Sequence, residues 1–341
     1  MKDRPLPLAP AEIRKLRSAL LRWYDQHRRE LPWRADAGPY RVWVSEIMLQ
    51  QTRVAAVLDH YARFMQRFPD VPALAAAREA SVLAAWSGLG YYHRARRMHK
   101  AARVIVRELH GKFPQTAAEW RELPGIGRYT AAAIASIAFG QSVAVVDGNV
   151  DRVVNRVFGQ DGSREAAWQR AEALLDHERP GDFNQAMMEL GATICTPRTP
   201  QCLLWPLHGW CVSRSADAVR PQPPRKRKQL RCGLARKNGS VLLVQRKADA
   251  SLMAGMWELP AIPEEHVNGN AAILKLRHSI TDTDYQVSVL TVSPEDISRS
   301  GAKGTWFTRK QWARLPLTGL TRKILRRIED ESPGTRAESK S

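Results

Sequence analysis

Acidic residues are scarce in this sequence. Asp and Glu number 34 against 53 Lys and Arg in 341 residues, which leaves a formal charge of +19 and a pI near 10.3. That imbalance points to a polyanionic partner, because each Lys or Arg that neutralises a phosphate releases a counterion. Arg dominates the basic set, and its planar fork suits bidentate phosphate contact. Long apolar runs are missing too: none approaches the ~20 residues of a membrane-spanning helix, so no membrane partner is expected. The start, Met-Lys-Asp-Arg-Pro-Leu-Pro, has no apolar core of the signal-peptide kind. Cysteines number only 4. Three of them, Cys195, Cys202 and Cys211, lie close together, which suggests a metal site in a reducing compartment rather than a disulfide frame. These absences lead to the expectation of a cytoplasmic, nucleoid-associated monomer of two domains.

The most informative stretch is 123–153. Leu-Pro-Gly-Ile-Gly-Arg-Tyr-Thr-Ala-Ala-Ala-Ile reads as a hairpin opening a small apolar helix. Pro124 ends what precedes it, and Gly125 and Gly127 supply the backbone freedom a tight hairpin needs. The first N–H groups of the helix from Arg128 have no partners within it, so the hairpin is a phosphate site or a plain glycine-capped corner. Val143–Val146 then runs into Asp147-Gly-Asn149. Asp147 reads as an N-cap for a helix beginning near Val150, or as a carboxylate held beside the hairpin.

Upstream, 11–30 carries an amphipathic helical pattern that Leu31-Pro32-Trp33-Arg34 breaks. Trp33 and Arg34 can stack on and hydrogen-bond a base, or be a core Trp beside a surface Arg. The next helix is expected over 39–54, with Trp43, Ile47, Gln50 and Gln51 sharing a side. Glu46 is either a carboxyl inside its apolar stretch, where desolvation raises the pKa, or an exposed residue on the polar stripe, the commoner fate of a lone helix Glu. Further helices are expected over 94–109, 164–178 and 182–194.

Taken together, Ser-Glu-Ile-Met-Leu-Gln-Gln-Thr (45–52), the glycine hairpin and Val-Asp-Gly-Asn-Val-x-Arg-Val resemble the helix-hairpin-helix DNA glycosylases, and among them the MutY-type adenine glycosylases. The likeness runs over about 320 residues in family order. It implies a mainly α fold. A helix-hairpin-helix glycosylase domain would occupy 1–212, including a cysteine-cluster loop at 195–211. A basic, Pro-rich linker at 213–231 would lead to a smaller α+β Nudix-like domain at 232–330 and a disordered tail at 331–341. The implied activity is hydrolysis of the N-glycosidic bond of adenine mispaired with 8-oxoguanine or guanine in double-stranded DNA. By resemblance, Glu46 is the acid and Asp147 the carboxylate facing the sugar, with Asn149 orienting either. Tyr129 stands where related strand-cutting enzymes carry a Schiff-base Lys, so an abasic site is the expected product.

For contacts to DNA and base, the resemblance points to Arg34, Gln50, Gln51, Gly125, Gly127, Arg128 and Gln185. Within Trp-Ser-Gly-Leu-Gly-Tyr-Tyr-His (86–93), Tyr91 would be the wedge that enters the base stack. His278 and Thr281 would stand in the lesion-reading loop, where the family's Phe-Ser-His becomes Ile280-Thr281-Asp282. The family's cluster loop spaces four cysteines by six, two and five residues around a 4Fe–4S cluster; here the third position is Trp205. A cluster lacking one of its four ligands is expected. Zinc on the same thiols and a metal-free loop filled by Trp205 are the alternatives. No nucleotide cofactor is expected, and no pyrophosphatase, since Glu264 and Glu265 stand without the Glu-rich helix that would hold Mg²⁺. An endonuclease III-like glycosylase/lyase and a non-catalytic damage-binding protein are the competing readings.

Overall fold

The computed structural model describes residues 8–159, 163–213, 225–247, 249–250, 252–263, 271–299 and 303–330. The expected tail at 331–341, the Glu264-Glu265 pair and most of the expected linker lie outside the described residues. The chain divides into two compact units, 1–75 with 100–221 and 76–99 with 222–341.

The first unit is helical. Helix Pro10–His27 packs Leu16, Leu20, Leu21 and Tyr24 inward, as the apolar spacing requires. Leu31–Arg34 does break that helix, but Pro32–Ala35 then forms a single helical turn of its own, with Pro at its start. The following helix is Pro39–Leu49, shorter than expected. It stops because Gln51 adopts a left-handed φ of 55°, while the Thr52 N–H bonds back to Leu49 O at 3.1 Å. Gln50 and Gln51 therefore sit on a turn rather than on the face of Trp43 and Ile47. Helix Val54–Arg67 follows that turn.

Leu123–Gly127 forms the hairpin, with Gly125 at φ 82°, a value that Cβ-bearing residues seldom adopt. Helix Arg128–Phe139 starts on Gly127 and ends on Gly140 in the left-handed region. Helix Gly148–Phe158 starts on Asp147 and carries Val150, Val153, Val154 and Val157 on its buried face. Helices Arg164–Leu174 and Pro180–Thr193 complete this side. One core joins them, with Leu16, Val146, Val153, Phe183 and Leu190 among its fully buried members.

The second unit holds helix Glu79–Trp86 and two sheets. Strands are β1 (Lys226–Leu234), β2 (Arg236–Lys237), β3 (Ser240–Gln245), β4 (Trp257–Glu258), β5 (Ala272–Ile280), β6 (Thr283–Thr291) and β7 (Gly304–Thr308). β1 runs parallel to β6, and β5 pairs antiparallel with β6. β3 takes β2, β4 and β7 as antiparallel neighbours. β1 begins at Lys226, inside the stretch read as linker, because its main chain pairs with β6 from Thr283 onward. Its inner end is covered on both faces, and Leu230, Cys232 and Leu234 join this strand to a core with Val289, Leu317 and Ile324.

Candidate active site

The first unit places Glu46, Tyr129, Asp147, Asn149, Gln185 and Glu189 around one cavity of about 170 Å³. Its neighbours on helix Pro39–Leu49 are apolar, and Glu46 is only 6% exposed. Burial pushes its carboxyl up to about 7; Asp147 adds to the rise, while the Tyr129 hydrogen bond and Arg34 oppose it. The Tyr129 hydroxyl donates to Glu46 Oε2 at 2.7 Å. Burial and the two nearby carboxyls hold that phenol well above its ordinary pKa, so it stays a donor.

Asp147 is both a cap and a member of the cavity wall. Its Oδ1 accepts from the N–H groups of Asn149 (2.8 Å) and Val150 (2.7 Å), and its Oδ2 accepts from Asn149 Nδ2 at 2.8 Å. Three donors thus converge on one carboxylate at a helix N-terminus, where the helix dipole also favours negative charge. Asn149 is fixed in turn, because Arg152 Nη2 donates to its Oδ1 at 2.9 Å and to Gly191 O at 2.7 Å. A Cβ on Gly191 would stand 2.6 Å from Asn149 Cβ and 2.9 Å from Asn149 O, so only glycine lets the two helices meet there.

Opposite, Arg34 donates to Gln185 Oε1 (3.1 Å) and Glu189 Oε2 (3.0 Å). Arg29 donates to both Glu189 oxygens. Burial alone would raise the Glu189 carboxyl, but the two guanidiniums outweigh it and hold the pKa down. Arg34 also lies over the Tyr24 ring, 5.5 Å from its centroid.

A larger groove adjoins the cavity and shares Tyr129, Asp147 and Asn149 with it; Gln50, Gln51 and Arg128 line its other parts. Gln50 Nε2 donates to Thr130 Oγ1 at 3.0 Å. No side chain caps the helix that starts on Gly127, and a Cβ there would meet nothing within 4 Å, so the hairpin backbone is open to a large ligand. Arg128 rests on the Trp168 ring at 4.0 Å and pairs with Glu165 at 2.7 Å.

Tyr91, His278 and Thr281 belong to the second unit. Tyr91 is 38% exposed, with φ 47°, between Gly90 (φ 71°) and the buried Tyr92. Buried Arg94 stacks its guanidinium 5.2 Å from the Tyr91 ring centroid and 5.5 Å from that of Trp86. The Trp86 indole donates to Gly90 O at 3.0 Å. Ser87 Oγ donates to Leu317 O (2.7 Å) and accepts from Arg322 Nε (2.8 Å), which seats this loop on the segment leading into helix Gly319–Asp330. Half-buried His278 lies on β5. The hydroxyl of Thr281, at the exposed β5–β6 turn, donates back to Ile280 O at 2.8 Å. Asp282 beside it pairs with Lys226 at 3.4 Å.

The cysteine loop does not fit a four-thiolate cluster. Cys195 and Cys211 are buried and Cys202 is half-buried. The loop's third position, where a thiolate is missing, is the Trp205 indole, 5% exposed, whose ring nitrogen is a donor only. Among the described residues no group of three or more His, Cys, Asp or Glu converges as a metal site.

Sequence reasoning missed Arg29, Glu189, Arg152 and Gly191. Glu189 stands four residues after Gln185 on the same helix, and Arg152 is the Arg of Val-Asp-Gly-Asn-Val-x-Arg-Val, both visible signals; nothing local marks Arg29 or Gly191.

Residues 44–176 match the family described as HhH-GPD superfamily base excision DNA repair protein. The adenine DNA glycosylase of Mus musculus is 36% identical over 97% of this chain and 81% of its own length. That of Homo sapiens is 35% identical over 95% of this chain and 76% of its own. Among solved structures, a thermostable thymine-DNA glycosylase aligns with a TM-score of 0.56 and 30% identity, over 60% of this chain and 97% of that one. A non-covalent endonuclease III–DNA complex, 23% identical at a TM-score of 0.53, shares the fold. The chain belongs to the adenine DNA glycosylase family of helix-hairpin-helix base excision repair proteins.

Proposed function

We propose that this protein removes adenine opposite 8-oxoguanine or guanine in duplex DNA by hydrolysis alone, leaving an abasic site. The observation that carries the reading is the Tyr129–Glu46 hydrogen bond of 2.7 Å, on a buried carboxyl with a pKa of about 7 that shares its cavity with Asp147. One acid that keeps its proton near neutrality and one that offers negative charge is the pairing glycoside cleavage uses.

Glu46 gives its proton to the ring of the extruded adenine as the bond to C1′ lengthens. The base leaves neutral, and Asp147 stabilises the positive charge left on the sugar. Water then adds to C1′, and its proton returns to Glu46. Asn149 keeps Asp147 turned to the sugar, while Gln185 and Arg34 present hydrogen-bonding groups to the base. The open hairpin at Gly125 and Gly127, with Arg128, takes phosphate. Tyr91 enters the stack and Gln51 fills the space the base vacates. No step runs through the cysteine loop. Tyr129 offers no amine, so no Schiff base forms and the strand stays whole.

Single-turnover reactions on duplexes carrying A:8-oxoguanine, A:G, T:G and thymine glycol test this. Adenine release from the first two that vanishes in Glu46→Gln, with strand breaks only after alkali, is expected. Release of thymine or thymine glycol, trapping by borohydride, or an active Glu46→Gln overturns it.

A further inference from the structure

We infer that the loop 195–211 is held closed by Trp205 in place of an iron–sulfur cluster, and that the protein folds and works without one. The inference stands on how the loop is filled, and is independent of which base the enzyme removes.

Trp205 is not an exposed remnant. Its side chain is part of the core that includes Cys195, Leu207, Cys211 and Phe158. Its ring nitrogen is buried without a hydrogen-bond partner. A buried indole N–H left unpaired is destabilising, so packing of the ring must outweigh that. A three-thiolate cluster would need the fourth iron to face solvent or a small ligand. Here that corner is filled by an apolar ring that can ligate nothing.

Two of the three sulfurs have protein partners. Cys211 Sγ–H faces Arg156 O (3.4 Å) and Ser213 O (3.3 Å). Arg156 Nη1 donates to Cys195 Sγ at 3.2 Å and to Thr196 O at 2.9 Å, and Nη2 donates to Pro197 O at 3.3 Å. Arg152 Nε donates to Cys195 O at 2.7 Å. Past the loop, Val212 N and Ser213 N bond to Val157 O (3.2 Å) and Arg156 O (3.1 Å). All of these but the Cys211–Ser213 contact run to helix Gly148–Phe158, whose first turn is capped by Asp147. Two arginines, Arg152 and Arg156, and an indole therefore fix the loop against the helix that presents the catalytic carboxylate.

The test uses the full chain, purified without oxygen from cells grown with excess iron. Iron, zinc and acid-labile sulfide are then counted per chain. Trp205→Cys, which restores four thiolates, is carried alongside and takes up iron and sulfide. The native chain is expected to carry neither in stoichiometric amount, to lack the visible Fe–S absorption, and to melt at the same temperature with or without a chelator. Cys202→Ser is expected to melt with the native chain. Trp205→Phe keeps most of the packing and Trp205→Ala does not, so only Trp205→Ala lowers the melting temperature by several degrees. Stoichiometric iron with sulfide, or stoichiometric zinc, in the native chain overturns the inference. So does a Trp205→Ala protein that melts unchanged.

Discussion

Glu46→Gln should make the protein inactive and, in alkali, more stable. The carboxyl pKa rises from 4.5 to about 7 on folding, with burial as the first cause. At about 1.4 kcal/mol per pKa unit, that shift corresponds to about 3 kcal/mol. The sign follows from which state holds the proton more tightly. The folded protein does, so its stability is complete below pH 4.5, falls as the pH rises through 7, and levels off above that. Glutamine is neutral throughout and fills nearly the same space, so the variant escapes the loss. Its advantage should be near zero at pH 4.5, grow between pH 4.5 and 7, and reach about 3 kcal/mol beyond. For a unit of about 200 residues, that is roughly 6–12 °C in melting temperature. Urea unfolding of both proteins across that pH range reads the difference directly. Glycosylase rate in single turnover should fall in the native enzyme over the same pH rise, as Glu46 loses the proton it must donate. Parallel stability curves for the two proteins up to pH 9 would refute the claim of a desolvated, neutral acid.

Gly191→Ala should slow single-turnover base release about 100-fold while leaving duplex affinity within a few-fold, because its Cβ would displace Asn149 from Asp147; a native rate refutes this. Glu189→Ala should cost roughly 2–3 kcal/mol in chemical denaturation, since it leaves the half-buried Arg29 and Arg34 without their shared partner. Arg94→Ala removes the guanidinium stacked under Tyr91; mismatch-duplex affinity should weaken about ten-fold, and fluorescence of 2-aminopurine at the target position should show less base extrusion. Unchanged extrusion would separate Arg94 from the wedge.

The apolar neighbours of Glu46 left it either buried or on a polar stripe, and the resemblance of 45–52 to a family motif decided for the buried acid. Asp147 was legible because an N-cap is a local device. Gly125 and Gly127 announced a hairpin for the same reason. The turn at Gln50 and Gln51 was not, since nothing in Leu-Gln-Gln-Thr disfavours another helical turn, and only the left-handed Gln51 ends it. Arg29 and Gly191 stayed hidden because each acts across the fold: Arg29 meets Glu189, and Gly191 meets Asn149, through contacts that no periodicity encodes. β1 was read as linker because its first residues are basic and exposed, and its strand identity comes from the parallel ladder with β6. Segment 76–99 likewise joins the second unit through ties such as Ser87 to Leu317 and Arg322, more than 200 residues away in sequence.

Two carboxyls can serve opposite roles in one cavity only if their surroundings differ more than their distance couples them. Glu46 sits on a helix with Trp43, Ile47 and Met48 and receives one phenolic donor; Asp147 receives three N–H donors and a helix N-terminus. Charge on Asp147 raises the Glu46 pKa, so the ionised partner helps keep the other protonated. Tyr129 opposes that rise through its hydrogen bond, which keeps the acid near 7 rather than far above it. An acid much weaker than that would not release its proton to adenine, and one much stronger would be ionised before the base arrived. Tyr129 thus sets the strength of the acid beside it through that one hydrogen bond.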